Sequence, residues 1–282
     1  MPVLSSNSYG KSDVRLTKVV RHGDHHALFE VSVDVQLTGD FAAAYTAGDN
    51  RRVIATDSIK NTVYVLAKER TFDSPESFAA LLADHFPATY DHVTSATVDV
   101  REASWVRINV DGKPHEHAFV NGGRELHTVQ AVAERGKPTT VTGGVTDLLV
   151  LKTGQSAWKD FHTDRYRTLP DASDRIMATS VTATWDYAGT VDYVAAHERL
   201  RTALLTAFAT HDSLGVQHTM HEMGHAALAA APEVRRVSLR LPNKHRIPFN
   251  LKPFGLTNDN DIFVWTDEPF GDISCTVARD PV

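Results

Sequence analysis

The amino-acid sequence predicts an α+β protein built of two halves with a similar order of elements, and three observations carry that prediction. Apolar and polar residues alternate between residues 14 and 37, a helical period takes over from Thr56, and a comparable succession of strands and paired helices returns after about residue 145. Neither half repeats the other residue for residue, so the duplication rests on element order alone.

Residues 14–20 (Val-Arg-Leu-Thr-Lys-Val-Val) and 29–37 (Phe-Glu-Val-Ser-Val-Asp-Val-Gln-Leu) put their apolar side chains on one face, as strands do. The polar His22-Gly23-Asp24 between them makes the pair a β-hairpin. Thr56 or Asp57 is the expected N-cap of the first helix, and Ser74-Pro75-Glu76-Ser77 opens a second one through Leu81, Leu82 and Phe86. Strands are expected near 93–110 and 126–150, which gives this half a β-β-α-α-β-β character. The second half reads as a strand at 145–151, a loop, and a strand at 179–187 containing Val181, Ala183 and Trp185. Helices near 191–210 and 213–230 follow, the later one with Val216, Met220, Met223, Ala227 and Ala230 on one stripe. Strands near 234–240, 261–266 and 272–279 close the chain.

With 282 residues, two domains of similar size are the natural division, and 42% apolar with 23% charged residues sits near the globular average. A net charge of −6 with scattered Lys and Arg argues against a nucleic-acid partner. Cys275 is the only cysteine and has no internal partner, and residues 1–6 lack the basic and apolar regions of a signal peptide. No apolar run reaches the roughly 20 residues of a membrane span. A reducing, cytoplasmic location is therefore expected, and Asp280-Pro281-Val282 is not a peroxisomal Ser-Lys-Leu signal.

The loudest motif is His221-Glu222-Met223-Gly224-His225, an H-E-x-x-H match that on a helix offers two imidazoles to zinc and a carboxylate as general base. That is a metallopeptidase signature. Helical geometry, however, sets His221 and His225 opposite the stripe of Met220, Met223 and Ala227, towards solvent. The third ligand is also missing: Ala226, Ala227 and Leu228 do not begin the usual extension, and Glu233 lies beyond Pro232. The expectation is a solvated His-rich face with no catalytic metal. Together with His218 it is able to pick up a transition metal adventitiously, because positions i, i+3 and i+7 share one side of a helix. Gly154-Gln155-Ser156-Ala157-Trp158 misses the nucleophile elbow at its last position, and His115-Glu116-His117 fits a polar strand. Neither a Walker A nor a G-x-G-x-x-G sequence is present, so nothing suggests flavin or nicotinamide.

Six quieter phrases occur in order along the chain: Tyr9-Gly10-Lys11, Thr56-Asp57-Ser58-Ile59-Lys60-Asn61-Thr62-Val63-Tyr64, Leu151-Lys152-Thr153-Gly154, Asp174-Arg175-Ile176, Val216-Gln217-His218-Thr219-Met220 and Leu241-Pro242-Asn243-Lys244-His245. In sequence and spacing they resemble the urate oxidase family. The residue types suit a planar, electron-rich anion, which calls for an aromatic face, a bidentate cation, amide partners and a base.

The resemblance implies tandem tunnelling-fold (T-fold) domains, residues 1–142 and 143–282, each an antiparallel sheet with helices on one face, closing into a β-barrel on oligomerisation. It implies a homotetramer with active sites between subunits, and conversion of urate, dioxygen and water to 5-hydroxyisourate and hydrogen peroxide without a cofactor. By the same resemblance Lys11, Thr56 and His245 form a catalytic proton relay. Arg175 grips one purine edge with Gln217 and the Val216 N–H alongside, Asp57 and Thr56 hold the opposite edge, and Asn243 with Thr56 holds dioxygen and later water. Trp158 stands where the family has a stacking Phe, and Phe161 matches another family aromatic. Free N–H groups at a helix start would also suit an anionic purine edge. The competing readings are a zinc metallopeptidase acting through His221, Glu222 and His225, and a purine- or pterin-binding T-fold protein without oxidase activity.

Overall fold

A computed structural model describes residues 2–279, so the C-terminal Asp280-Pro281-Val282 considered above lies outside the described residues. The chain divides into two compact units, Met1–Gly144 with Gly189–Ala195, and Val145–Ala188 with Ala196–Val282.

The first unit is an antiparallel meander of β1 (Tyr9–His22), β2 (His25–Gly39), β3 (Val93–Val110) and β4 (Lys113–Glu134), adjacent in that order. The expected hairpin turns where the sequence places it. Between β2 and β3 lie α1 (Ala42–Ala47), α2 (Thr56–Glu69) and α3 (Pro75–Thr89), of which α2 packs on β1 and α3 on β3 and β4. Alternate residues Val31, Val33, Val35 and Leu37 of β2 are buried, as are Ile59, Val63 and Leu66 of α2 and Phe78, Leu82 and Phe86 of α3. Burial of each such side chain contributes about 1.5–3 kcal/mol, which fixes the helices on the sheet.

Helix α3 starts as its sequence predicts. Ser74 accepts the Ser77 N–H at 3.1 Å, Ser77 accepts the Ser74 N–H at 3.1 Å, and Pro75 occupies the first turn. Helix α2 corrects the expectation, because its N-cap is Ala55 and neither Thr56 nor Asp57 caps it. Thr56 is instead the first helical residue, with its hydroxyl left for other partners. Glu76, in the first turn of α3, is fully enclosed and meets His127 Nε2 of β4 at 2.9 Å. His127 Nδ1 in turn lies 3.5 Å from Glu102 of β3.

In the second unit β5 (Thr140–Lys152), β6 (Met177–Tyr187), β7 (Val234–Arg240) and β10 (Ser274–Ala278) are neighbours in that order. The helices are α4 (Tyr193–Thr210) and α5 (Val216–Ala230), and a small hairpin pairs β8 (His245–Pro248) with β9 (Phe263–Thr266). Trp185, Val181 and Ala183 of β6 enter one core with Leu200, Leu204 and Phe208 of α4 and Val216, Met220, Met223 and Ala227 of α5. The predicted α5 stripe is therefore the buried face, apart from Ala230 at its end, which is only half-buried. A Cβ on Gly224 would lie 2.5 Å from Val277 Cγ2, so a glycine lets α5 press against β10. No helix among the described residues is long and apolar enough to cross a membrane.

Candidate active site

Two groups of the expected site residues are built, one in each unit. In the first, Lys11 lies near the start of β1, opposite Val35 of β2, just before a β-bulge that separates it from Val14. Gly10 is obligatory beside it, since a Cβ there would lie 1.7 Å from the Val35 carbonyl oxygen. The bulge residue Asp13 adopts φ 53° and donates its N–H to Asp34 Oδ1 at 2.6 Å. Arg101 binds both carboxylates, Asp34 Oδ2 at 2.6 Å and Asp13 Oδ1 at 3.0 Å. Burial pushes the Asp34 carboxyl up, but the Arg101 guanidinium and the Asp13 N–H outweigh it and hold it below the usual carboxylate range. A half-buried ion pair thus pins the bend next to Lys11.

The start of α2 is tied to the same strand. The Ile54 N–H donates to the Tyr9 hydroxyl at 2.8 Å, and further along α2 the Tyr64 hydroxyl donates to the Arg15 carbonyl at 3.0 Å. Tyr9 in turn packs edge-on against Phe41, with ring centroids 4.7 Å apart. Asp57 accepts from Lys60 at 2.5 Å and from Asn61 at 3.0 Å. Those bonds, with a smaller contribution from the charge of Lys11, draw its carboxyl down. Lys11 and the first turn of α2, with Thr56 and Asp57, therefore form one electrostatic neighbourhood.

In the second unit Trp158 is held by two backbone hydrogen bonds of 2.8 Å to Ala172 and stacks on Phe161, with centroids 5.4 Å apart and planes at 15°. The loop before it is pinned to the turn that starts α5: the Ala157 N–H donates to the Ser213 carbonyl at 2.7 Å and the Ser213 N–H to the Gln155 carbonyl at 2.9 Å. Thr219 completes that turn by donating to Ser213 Oγ at 2.7 Å. The indole consequently lies against the α5 N-terminus, where a Cβ on Gly215 would meet Trp158 Cζ3 at 3.0 Å and Gln217 Oε1 at 3.7 Å. The Arg175 guanidinium is 5.7 Å from the Trp158 ring centroid. Its neighbouring acids are engaged elsewhere, Asp174 with the Ser156 N–H at 3.1 Å and Asp171 with Arg167 at 2.8 Å. The Arg175 Nε is buried without a hydrogen-bond partner among the described residues, and burial lowers the pKa of its guanidinium. An ordinary surface ion pair does not account for this arginine.

Asn243 is fixed by its N–H to the Gly271 carbonyl at 2.9 Å, next to the Lys244 N–H bond of 2.8 Å to Ala178 on β6. His245 begins β8 opposite Thr266 and is half-buried, with Lys244 paired to Asp267 at 3.3 Å. Sequence reasoning misses Tyr9, Asp34 and Arg101. For Tyr9 the Tyr9-Gly10-Lys11 phrase is a local signal, whereas the contacts of Asp34 and Arg101 join residues 21, 67 and 88 positions apart.

The H-E-x-x-H residues take no part in either group. His221 is on the exposed side of α5, its side chain 60% accessible, and Met223 faces the core, as expected from the helical period; Gly224 is buried too.

Comparison with known proteins gives concordant results. The uricase family profile matches residues 7–132 and 141–274. The chain is 42% identical over 280 residues to the uricase of Arthrobacter globiformis, covering 99% of this chain and 90% of that protein. It is 38% identical to the uricase of Dictyostelium discoideum, covering 99% and 98% of the two chains. The crystal structure of the Arthrobacter globiformis uricase superposes with a TM-score of 0.95 at 40% identity, covering 100% of this chain and 96% of that one. A mutant urate oxidase from Bacillus sp. TB-90, at 23% identity and a TM-score of 0.85, shares the fold.

Proposed function

The chain belongs to the uricase family, and on that premise we propose that Lys11, Thr56 and His245 move the protons of urate oxidation while Asp57, Trp158, Arg175, Val216, Gln217 and Asn243 hold the reactants. It has the tunnelling fold of that family and is an oxidoreductase whose substrates are urate and dioxygen. The observation that carries the site assignment is Arg175: a half-buried side chain whose enclosed Nε has no hydrogen-bond partner among the described residues, beside an indole face. Buried polar groups are rarely left unsatisfied, and this one fits two coplanar acceptors of a flat anion. The Val216 N–H, unpaired within the helix at its first position, supports assigning the same edge to it and to the Gln217 amide.

In the proposed reaction urate, dioxygen and water give 5-hydroxyisourate and hydrogen peroxide. Bound urate gives up a proton through the Thr56 hydroxyl to Lys11, which accepts it as the neutral amine, and the resulting dianion is electron-rich enough to reduce dioxygen without a cofactor. The oxidised purine then takes water at its ring carbon, and His245 with Lys11 manages the proton released. Asn243 and Thr56 hold first dioxygen and then that water.

Lys11, Thr56 and Asp57 belong to one unit and the other site residues to the second; with the family assignment we also propose a homotetramer whose active sites lie between subunits. The β8–β9 hairpin supports an assembled form, since it exposes Ile247 and Val264 together with Trp265, which is 67% accessible.

Loss of urate ultraviolet absorbance with matching release of peroxide, in protein assayed with excess chelator, is the expected result. Activity that vanished with chelator and returned with a metal would overturn the cofactor-free reading. Arg175→Lys keeps the charge and removes the planar fork. It is expected to raise KM for urate by about 10–100-fold with kcat within a few-fold, the cost of one charged hydrogen-bonded pair. A fall in kcat at unchanged KM would instead remove Arg175 from substrate binding.

A further inference from the structure

In an unbroken strand alternate side chains share a face, so with Val14 buried Lys11 would point to the opposite side of the sheet. The pairing of β1 with β2 is different. Val14 lies opposite Val33 and Lys11 opposite Val35, so Ser12 and Asp13 together oppose Asp34. Directly opposed residues of an antiparallel pair carry their side chains on one face. Val33 and Val35 are both fully buried on the face where α2 and α3 pack, which puts Lys11 on that side as well. Tyr9 gives the same answer: it lies opposite the buried Leu37, and its hydroxyl accepts the N–H of Ile54, two residues ahead of Thr56. The extra residue of the bulge thus sets Lys11 on the side of the sheet that carries Thr56.

The bulge is made by Asp13, whose φ of 53° is a left-handed conformation that a side chain disfavours. It is held there from the other face of the sheet. Asp34 Oδ1 accepts the Asp13 N–H at 2.6 Å, Arg101 donates to Asp34 Oδ2 at 2.6 Å and to Asp13 Oδ1 at 3.0 Å, and the Ser32 hydroxyl donates to Asp13 Oδ1 at 3.0 Å. Asp34 alternates with Val33 and Val35, and Arg101 lies opposite Ser32, so both side chains are on the face away from Lys11. We propose that Asp34, oriented by Arg101, is a positioning residue for urate oxidation: by holding Asp13 in its left-handed conformation it keeps the β-bulge that places Lys11 on the Thr56 side of the sheet. This rests on the assignment of Lys11 and Thr56 to proton transfer. Asp34 acts through the backbone alone. Were the strand to relax into regular pairing, Lys11 would be carried to the far face, since a slip of one residue exchanges the two faces.

The test is steady-state urate kinetics of the full-length wild type, Lys11→Ala, Asp34→Ala, the double variant Lys11→Ala/Asp34→Ala and the double variant Asp13→Gly/Asp34→Ala, with circular dichroism to establish that each is folded. Asp34→Ala is expected to lower kcat by about 10–100-fold with KM within about twofold, the cost of a small displacement of a reacting group. On the Lys11→Ala background the same change should lower kcat by less than about twofold, because the group it positions is gone. Glycine adopts the left-handed conformation without an acceptor to hold it, so Asp13→Gly/Asp34→Ala should recover kcat to within about threefold of the wild type. A loss of general structure would be neither confined to enzyme that retains Lys11 nor repaired by glycine. Wild-type kcat in Asp34→Ala, or a rise in KM at unchanged kcat, overturns the proposal. So does a glycine double variant no better than Asp34→Ala; should Asp34→Ala alone not fold, low kcat in that double variant overturns it. Full activity in Lys11→Ala would overturn the assignment of Lys11 itself, whereas an impaired Lys11→Ala beside a fully active Asp34→Ala would leave that assignment standing and remove only the role of Asp34.

Discussion

Lys11→Ala is expected to lower kcat for urate by about 10²–10⁴-fold while KM changes only a few-fold, the pattern of a lost proton-transfer group rather than a lost binding contact. The geometry supports this separation. Lys11 lies at a bulge whose shape is set by Asp13, Asp34 and Arg101, so truncation of its side chain leaves the strand pairing and the Tyr9 bond to Ile54 intact. Asp57 keeps its bonds to Lys60 and Asn61, and the purine edge it is assigned remains served. Thr56→Val should behave alike, because it removes the hydroxyl at the first residue of α2 without touching the cap at Ala55. Steady-state kinetics of the two variants beside Arg175→Lys check the assignment. Equal kcat and KM effects in all three would remove the distinction between relay and grip.

What is legible in the sequence is what local chemistry decides. The Ser74 cap, the β1–β2 hairpin and the buried stripe of α5 follow from turn residues and from periods of 2 and 3.6. Asp111-Gly112, with φ values of 51° and 77°, carries an equally local hairpin signal for the β3–β4 turn, one that sequence reasoning leaves unused. The start of α2 misleads because a Thr-Asp pair looks like a cap, whereas here the chain enters the helix one residue earlier, through an extended Ala55. The short α1 and β8 leave no periodic trace, being too brief to show one, whereas β9 lies within the strand expected near 261–266. His245 reads as part of a basic loop since its neighbours are Lys244 and Arg246. In the fold it opens a strand, Lys244 faces Asp267, and Arg246 lies 5.7 Å from the Trp265 ring centroid. Arg175 shows the same limit from the other side. Sequence offers it two nearby acids as partners, and only the tertiary arrangement commits one to a backbone N–H and the other to Arg167.

The second large effect concerns stability in alkali. His127 lies between Glu76 and Glu102; burial works against its charge, but hydrogen bonds to Glu102 and Glu76 prevail and raise its pKa to about 9. Because the folded pKa exceeds the ordinary value of about 6.5, the native state retains a proton that the unfolded chain has released. The resulting stabilisation is complete below about pH 6.5, declines as pH rises, and is gone once pH has passed about 9, a total of about 3 kcal/mol. Above that range two carboxylates face a neutral imidazole in a site where Glu76 is fully enclosed. Glu76→Gln should therefore lower Tm at pH 7 by about 10 °C, since breaking a buried pair costs about 3–5 kcal/mol in a chain of this size. It should also flatten the fall in Tm between pH 7 and 10. The readout is the difference between wild-type and variant Tm across that interval, which cancels the titration of exposed lysines and tyrosines common to both. A difference that stays constant from pH 7 to 10 would mean that His127 carries no proton between the two glutamates.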